Sequence, residues 1–138
     1  MLHELDVLEA RQIADLASEA RKVRDRLLEK VRDVELGEPV PARGEHNPAA
    51  ALALNGVLAT QPEFVALREA ITALPRDIRE KLWVMAQIGR GDVAILGWDA
   101  ALAAASVLSD DDIATGMVAE PDLHAHLRKG LYELGVAG

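Results

Sequence analysis

The sequence contains no cysteine, and only four of its 138 side chains are aromatic: Phe64, Trp83, Trp98 and Tyr132. The absence of cysteine excludes disulfides, thiolate nucleophiles and thiolate ligands for zinc, and it is typical of a reducing compartment. Long hydrophobic runs are also absent, since the longest, 49–54 and 100–105, have six residues each. A bilayer crossing needs about 20. We therefore expect a cytoplasmic protein that makes no contact with a membrane.

The composition favours helix over sheet. Alanine and leucine are abundant, with 24 and 20 copies, whereas the aromatic residues that a β-sandwich or barrel needs are scarce. The balance of 15 basic and 23 acidic side chains gives a formal charge of −8, which opposes binding to nucleic acid over the whole surface. These features predict an all-α protein, a multi-helix bundle with one long N-terminal helix and about five shorter helices.

Residues 6–35 contain neither glycine nor proline, and we expect one long helix there. Apolar residues recur every three or four positions along it and form a stripe on one face. A helix of this length is longer than a small domain needs for its own core, so part of the stripe is a candidate interface. The expected interface residues are Leu16, Ala20, Val23, Leu27, Val31 and Val34.

Residues 36–47 are rich in proline and glycine and are interpreted as a linker. The rest, 48–135, is predicted to be a helical core, so that 1–138 forms a single domain. Thr60 and Glu63 have the spacing of a capping box, and Ser109 with Asp112 has it again. Gly91 and Gly135 are expected to end the helices that precede them.

The turn at 89–91 is the candidate ligand site. Arg90 would contact an anion, Asp92 or Asp99 would supply an acid or base, and Trp98 would form a wall. The alternative interpretation is an ordinary glycine-capped helix end followed by a loop. A dinucleotide-binding glycine motif does not fit, because the preceding segment has helical rather than strand periodicity.

No other motif predicts chemistry. His124 and His126 are two residues apart and point away from each other on a helix, so they cannot share a metal. Asp110, Asp111 and Asp112 fit compensation of a helix dipole better than metal binding. We therefore predict no metal, no cofactor and no catalytic residue, and we favour a non-enzymatic protein.

One basic segment interrupts this acidic chain, but interleaved acids reduce its local charge to +3. The first 63 residues also lack aromatic side chains on which bases could stack. We expect a solvated helix face and no nucleic-acid binding at physiological salt. The basic residues are Arg21, Lys22, Arg24, Arg26, Lys30 and Arg32.

Three segments together carry a family resemblance: the Glu38-Pro39 to Asn47-Pro48 linker, the stretch from Pro62 to Leu74, and the Ile88-Gly-Arg-Gly-Asp92 segment with Trp98-Asp99 after it. In this order they resemble a family of small bacterial proteins classed as a domain of unknown function (number 3775), over residues 2–135. The resemblance implies no activity, substrate or cofactor.

The leading hypothesis is therefore an interaction module that forms a homodimer, or binds another helical protein, through the long helix. A small-molecule site at the 89–91 turn, with or without catalysis, is the alternative. Nucleic-acid binding through the 21–32 face is the least favoured.

Overall fold

Thirty-three consecutive residues without glycine or proline form the first helix, α1 (Glu4–Leu36), which at about 1.5 Å per residue is roughly 50 Å long. The molecule is described by a computed structural model over residues 4–36 and 56–135. The predicted linker from residue 37 onward, and most of the helix expected to follow it, lie outside the described residues.

The remaining described chain is a succession of short helices. Residues 56–60 are helical and are followed by α2 (Pro62–Ala73), α3 (Arg76–Arg90), a 3₁₀ turn (Ile95–Gly97), α4 (Trp98–Ala105), α5 (Asp110–Ala119) and α6 (Leu123–Glu133). No strand occurs within residues 4–36 and 56–135. The predicted all-α bundle with one long N-terminal helix and about five shorter ones is confirmed. None of these described helices has the length and apolar character needed to cross a bilayer.

Most of the predicted helix ends are correct. The Ser109 side chain accepts a hydrogen bond from the backbone N–H of Asp112 at 3.0 Å, as the capping pattern predicted. Gly91 and Gly135 have φ angles of +89° and +87°, a left-handed conformation that favours glycine at a helix end. The predicted capping box at Thr60 is wrong. Residue 60 still belongs to the helical segment 56–60, and its hydroxyl donates to the carbonyl of Val57.

The core lies where α6 is covered by α1 on one side and α3 on the other. The two flanking helices pack differently, because α1 contributes mainly alanine whereas α3 contributes larger side chains. A second, smaller cluster joins α3 to α4, and Trp83 and Leu134 contact both clusters. The α1 residues buried in the main cluster are Ala10, Ile13, Ala14, Ala17, Ala20 and Val23.

A buried arginine closes the corner between α2 and α3. Arg79 is only 5 % exposed, and its guanidinium donates to the last carbonyls of α2: Nε to Ile71 at 3.0 Å, and Nη2 to Thr72 and Leu74 at 2.7 Å each. The last carbonyls of a helix lack the regular N–H partner four residues on, and only that of Ile71 also accepts from the backbone N–H of Leu74. Arg79 therefore supplies donors to this helix end and places its charge at the negative end of the helix dipole.

Arg76 plays the same part at the end of α4, where it donates to the carbonyls of Ala105 and Leu108. Both arginines also contact Asp110 at the start of α5, at 2.5 and 2.7 Å. The hydrogen bond from Arg76 is the main reason why the pKa of Asp110 lies below its ordinary value. Asp110 therefore joins α5 to α3 and, through the two arginines, to the ends of α2 and α4, in addition to the dipole compensation that the sequence indicated.

Candidate functional site

Helices α3 and α6 approach each other at two glycines. A Cβ atom at Gly89 would collide with the backbone carbonyl of His126, and one at Gly130 would collide with the carbonyl of Met85. His126 lies four residues before Gly130 on α6, and Met85 lies four residues before Gly89 on α3. Each glycine therefore faces the backbone of the other helix about one turn before the other glycine. Only glycine leaves room for backbones this close, so these two positions fix α6 against α3.

Next to this close contact, Arg90 pairs with two acids, one nearby in the chain and one distant. Its Nε donates to Asp92 Oδ2 at 2.6 Å, across the turn that the left-handed Gly91 makes. Its Nη1 donates to Glu120 Oε2 at 3.1 Å, thirty residues further along the chain. Glu120 is the residue that ends α5. Arg90 is therefore shared between a local and a distant carboxylate.

His126 completes the cluster. Its Nδ1 lies within hydrogen-bond distance of the second oxygen of Glu120, so both oxygens of this carboxylate are occupied. The Glu120 side chain is 12 % exposed, whereas that of Arg90 is 37 % exposed. We name Arg90, Asp92, Glu120 and His126 the Arg90 cluster. It cross-links the ends of α3 and α5 to α6 by charge-assisted hydrogen bonds.

The four residues predicted to bind a ligand are only partly brought together. Arg90 and Asp92 are in contact, but Trp98 is 5 % exposed and packs in the smaller core cluster with Val84 and Ile88. Asp99 is exposed in the first turn of α4. The indole is thus largely occupied by the chain's own core, and Arg90 already has two carboxylate partners. A ligand site at this turn stays a prediction.

Glu120 and His126 were missed as partners of Arg90 by the sequence analysis. No local pattern joins residues 30 positions apart, and the sequence presents His126 only as a candidate metal ligand beside His124. Among the described residues, no three His, Asp or Glu side chains are grouped in a way that would hold a metal ion.

The predicted interface stripe on α1 divides into two parts. Ala20 and Val23 are 3 % and 4 % exposed and lie in the chain's own core, while Leu16 and Leu27 are half-buried against it. The side chains of Val31 and Val34 lie outside the described residues. The part of the stripe up to Val23 is therefore covered by this chain itself.

Beyond Val23 the surroundings of α1 change. Arg24 and Ala20 line a small cavity together with Phe64 of α2, so this portion of α1 lies against the start of α2. One turn further on, Leu28 is 37 % exposed. Val65, the neighbour of Phe64, is 40 % exposed, and Val57 in the preceding helical segment is 46 % exposed. Leu28, Val57 and Val65 are thus three large apolar side chains that the described part of the chain leaves exposed.

The comparisons with known proteins assign a family. The model of the family described as "Protein of unknown function (DUF3775)" matches residues 65–136, which is more than half of the chain. The chain therefore belongs to this family. The match begins within α2 and leaves out α1, so it is shorter than the resemblance predicted over residues 2–135. Searches of curated proteins and of solved structures found no match to the chain.

Proposed function

We propose that this protein is a non-enzymatic interaction module that forms a homodimer through the end of α1. The observation that carries the proposal is the length of α1. The helix continues for thirteen residues after Val23, the last fully buried side chain described on it. At about 1.5 Å per residue this is roughly 20 Å of helix, on which Leu27 still packs against the core and Leu28 is exposed. An isolated helix of that length is marginal in water unless its apolar face is covered.

The apolar surface at this end supports a helical partner. The exposed Leu28 follows the half-buried Leu27, and the sequence continues the three-and-four spacing with Val31 and Val34. Val65 is exposed next to Phe64, which lines a cavity together with Arg24 of α1, and Val57 is exposed as well. Exposed apolar side chains that cluster rather than scatter are typical of interaction sites.

The charge pattern favours a second copy of the same chain as the partner. Residues 24–33 begin with Arg24-Asp25 and end with Arg32-Asp33. In an antiparallel pair centred between Leu28 and Glu29, Arg24 would lie opposite Asp33, and Asp25 opposite Arg32. A two-fold symmetric contact brings the same patch together from both copies, and this segment is complementary to itself in that arrangement.

Two other functions rank below dimerisation for this chain. Small-molecule binding at Arg90 ranks second, because that guanidinium already has carboxylate partners. Nucleic acid ranks last, since Arg21 and Lys22 of the basic face are paired with neighbouring acids. We place the dimer in the bacterial cytoplasm, in keeping with the absence of cysteine.

Sedimentation or light scattering at tens of micromolar protein tests the proposal. We expect the wild type to be a dimer and Leu28→Asp to be a monomer with an unchanged circular-dichroism spectrum, because Leu28 is outside the core. Leu96→Asp is the matched control, since Leu96 is fully exposed on the 3₁₀ turn and is remote from α1 in the sequence. A monomeric wild type, or equal dissociation by both variants, would overturn the proposal.

A further inference from the structure

His124 occupies an unusual position on α6. It is half-buried, and its Nδ1 atom is buried without a hydrogen-bond partner among the described residues. Helix α6 runs antiparallel to α1 here, because Arg128 pairs with Asp15 while Asp122 pairs with Arg21. His124 thus lies between these two ion pairs along α6, at the contact with α1.

The charges around His124 are mainly positive. Burial is the main reason why its pKa lies below the ordinary value of 6.5, and Arg128, Arg21 and His126 lower the pKa further. Among these neighbours only Asp122 raises the pKa of His124, and its carboxylate is already bound by Arg21. On the α3 side of α6, Glu120 pairs with both Arg90 and His126.

The chemistry of imidazole makes this position sensitive to acid. A neutral ring that carries its proton on Nε2 leaves Nδ1 as a bare acceptor, which a buried site tolerates at modest cost. The imidazolium form has an N–H at both nitrogens. Protonation would therefore bury a charged donor without an acceptor, close to two guanidinium groups.

Of the two helices that cover α6, α1 is the one that can separate from it. Helix α3 is interlocked with α6 at the backbone by Gly89 and Gly130. Helix α1 instead meets the core through small alanine side chains and through ion pairs at the rim, such as Asp15 with Arg128, whose side chains are 76 % and 51 % exposed. Exposed ion pairs contribute little, so at this rim a new repulsion is opposed mainly by the apolar packing of α1.

We propose that the contact between α1 and α6 is acid-sensitive and that His124 is its sensor: the neutral imidazole permits docking of α1, and protonation loosens it while α3 stays packed on α6. The direction follows from linkage. His124 contributes stability that is fully present above about pH 6.5 and is lost as the pH falls through its lower folded-state pKa. This inference concerns docking within one chain and does not depend on dimerisation.

The test compares the wild type with His124→Gln between about pH 7.5 and pH 5. Backbone hydrogen exchange, corrected for the intrinsic effect of pH, is followed in α1 and in α3. In the wild type we expect several-fold faster exchange in α1 at the lower pH and unchanged exchange in α3. In His124→Gln we expect the acceleration in α1 to be lost. His46→Gln is the control, because it removes a histidine from another part of the chain.

Two results would overturn the inference. One is an acid-induced acceleration in α1 that is as large in His124→Gln as in the wild type. The other is equal loss of protection in α1 and α3, which would mean global unfolding. If the variant does not fold, an NMR titration of the wild-type imidazole decides instead: His124 must titrate together with the α1 amide signals, and a titration uncoupled from those signals contradicts the proposal. A dimer that dissociates independently of these signals leaves the inference intact.

Discussion

The two helices that cover α6 are held by different means. Helix α3 meets α6 where Gly89 and Gly130 allow backbone to lie against backbone, and the Arg90 cluster ties the same pair together at one end. Helix α1 meets α6 through a row of alanines and through exposed ion pairs. The comparison shows that one contact depends on the absence of side chains and the other on many small side chains. The α3–α6 contact tolerates no added side-chain atom. The α1–α6 contact instead loses stability in small steps as single side chains are truncated.

The largest effect is expected from breaking the α3–α6 contact. Gly89→Ala should lower the free energy of unfolding by about 3 kcal/mol, because the new Cβ collides with the carbonyl of His126 and a backbone must move. Gly56→Ala is the matched control: no atom lies within 4 Å of a Cβ at that position, and alanine favours helix. Urea unfolding followed by circular dichroism measures both, and similar stabilities would refute the close-contact interpretation.

A smaller effect is expected on the α1 side. Ile13 is 1 % exposed, and Ile13→Val should lower the free energy of unfolding by about 1 kcal/mol, since it removes one buried methyl group. Val107→Ala is a useful control, because Val107 is 83 % exposed and its truncation should change stability by less than about 0.5 kcal/mol. Equal losses in the two variants would mean that α1 is not docked as described.

A third test separates the acid response of α1 from that of the corner held by Arg76 and Arg79. Because the folded-state pKa of Asp110 is lowered, its contribution to stability is present above about pH 3.8 and is lost as the pH falls through the folded-state value. Asp110→Asn should therefore weaken the pH dependence of stability only in this lower range. His124→Gln should leave that range unchanged, and urea midpoints across both ranges measure the separation.

The smallest effect is expected for the ion pair at the rim of α1 and α6. A double-mutant cycle with Asp15→Asn and Arg128→Gln should give a coupling below about 0.5 kcal/mol, because both side chains are largely exposed. The pair between Asp6 and Lys81 should couple more strongly, since its side chains are only 4 % and 18 % exposed. The reverse order would contradict the view that the rim of α1 is weakly held.

Much of the helical framework could be predicted from the sequence, because local chemistry decides it. The residues of α1 include no helix breaker, Ser109 is followed three residues later by an acid, and Gly91 supplies the left-handed conformation that ends α3. Thr60 shows where this reasoning failed. Its residue type suits a helix start, but the helical turn before it continues through residue 60 and gives its hydroxyl a carbonyl partner.

The candidate site was less accessible to sequence reasoning. Arg90 and Asp92 were found because they are neighbours in the chain, but Trp98 was assigned to a site wall and lies instead in the smaller core cluster. An aromatic residue near a polar turn has the same sequence pattern in either role. Burial distinguishes them, and burial depends on α3 and α4 packing together.

The sequence by itself thus determined where this protein is helical, where its helices end and which face of α1 is apolar, because these properties depend on residues within a few positions of one another. Only the tertiary structure decided that Glu120 and His126 meet Arg90, that Arg79 caps the end of α2, and that the apolar face of α1 is covered as far as Val23. These contacts join residues on different helices. His126 reaches the Arg90 end of α3 where two glycines let α6 lie directly against α3, and no local pattern encodes that approach.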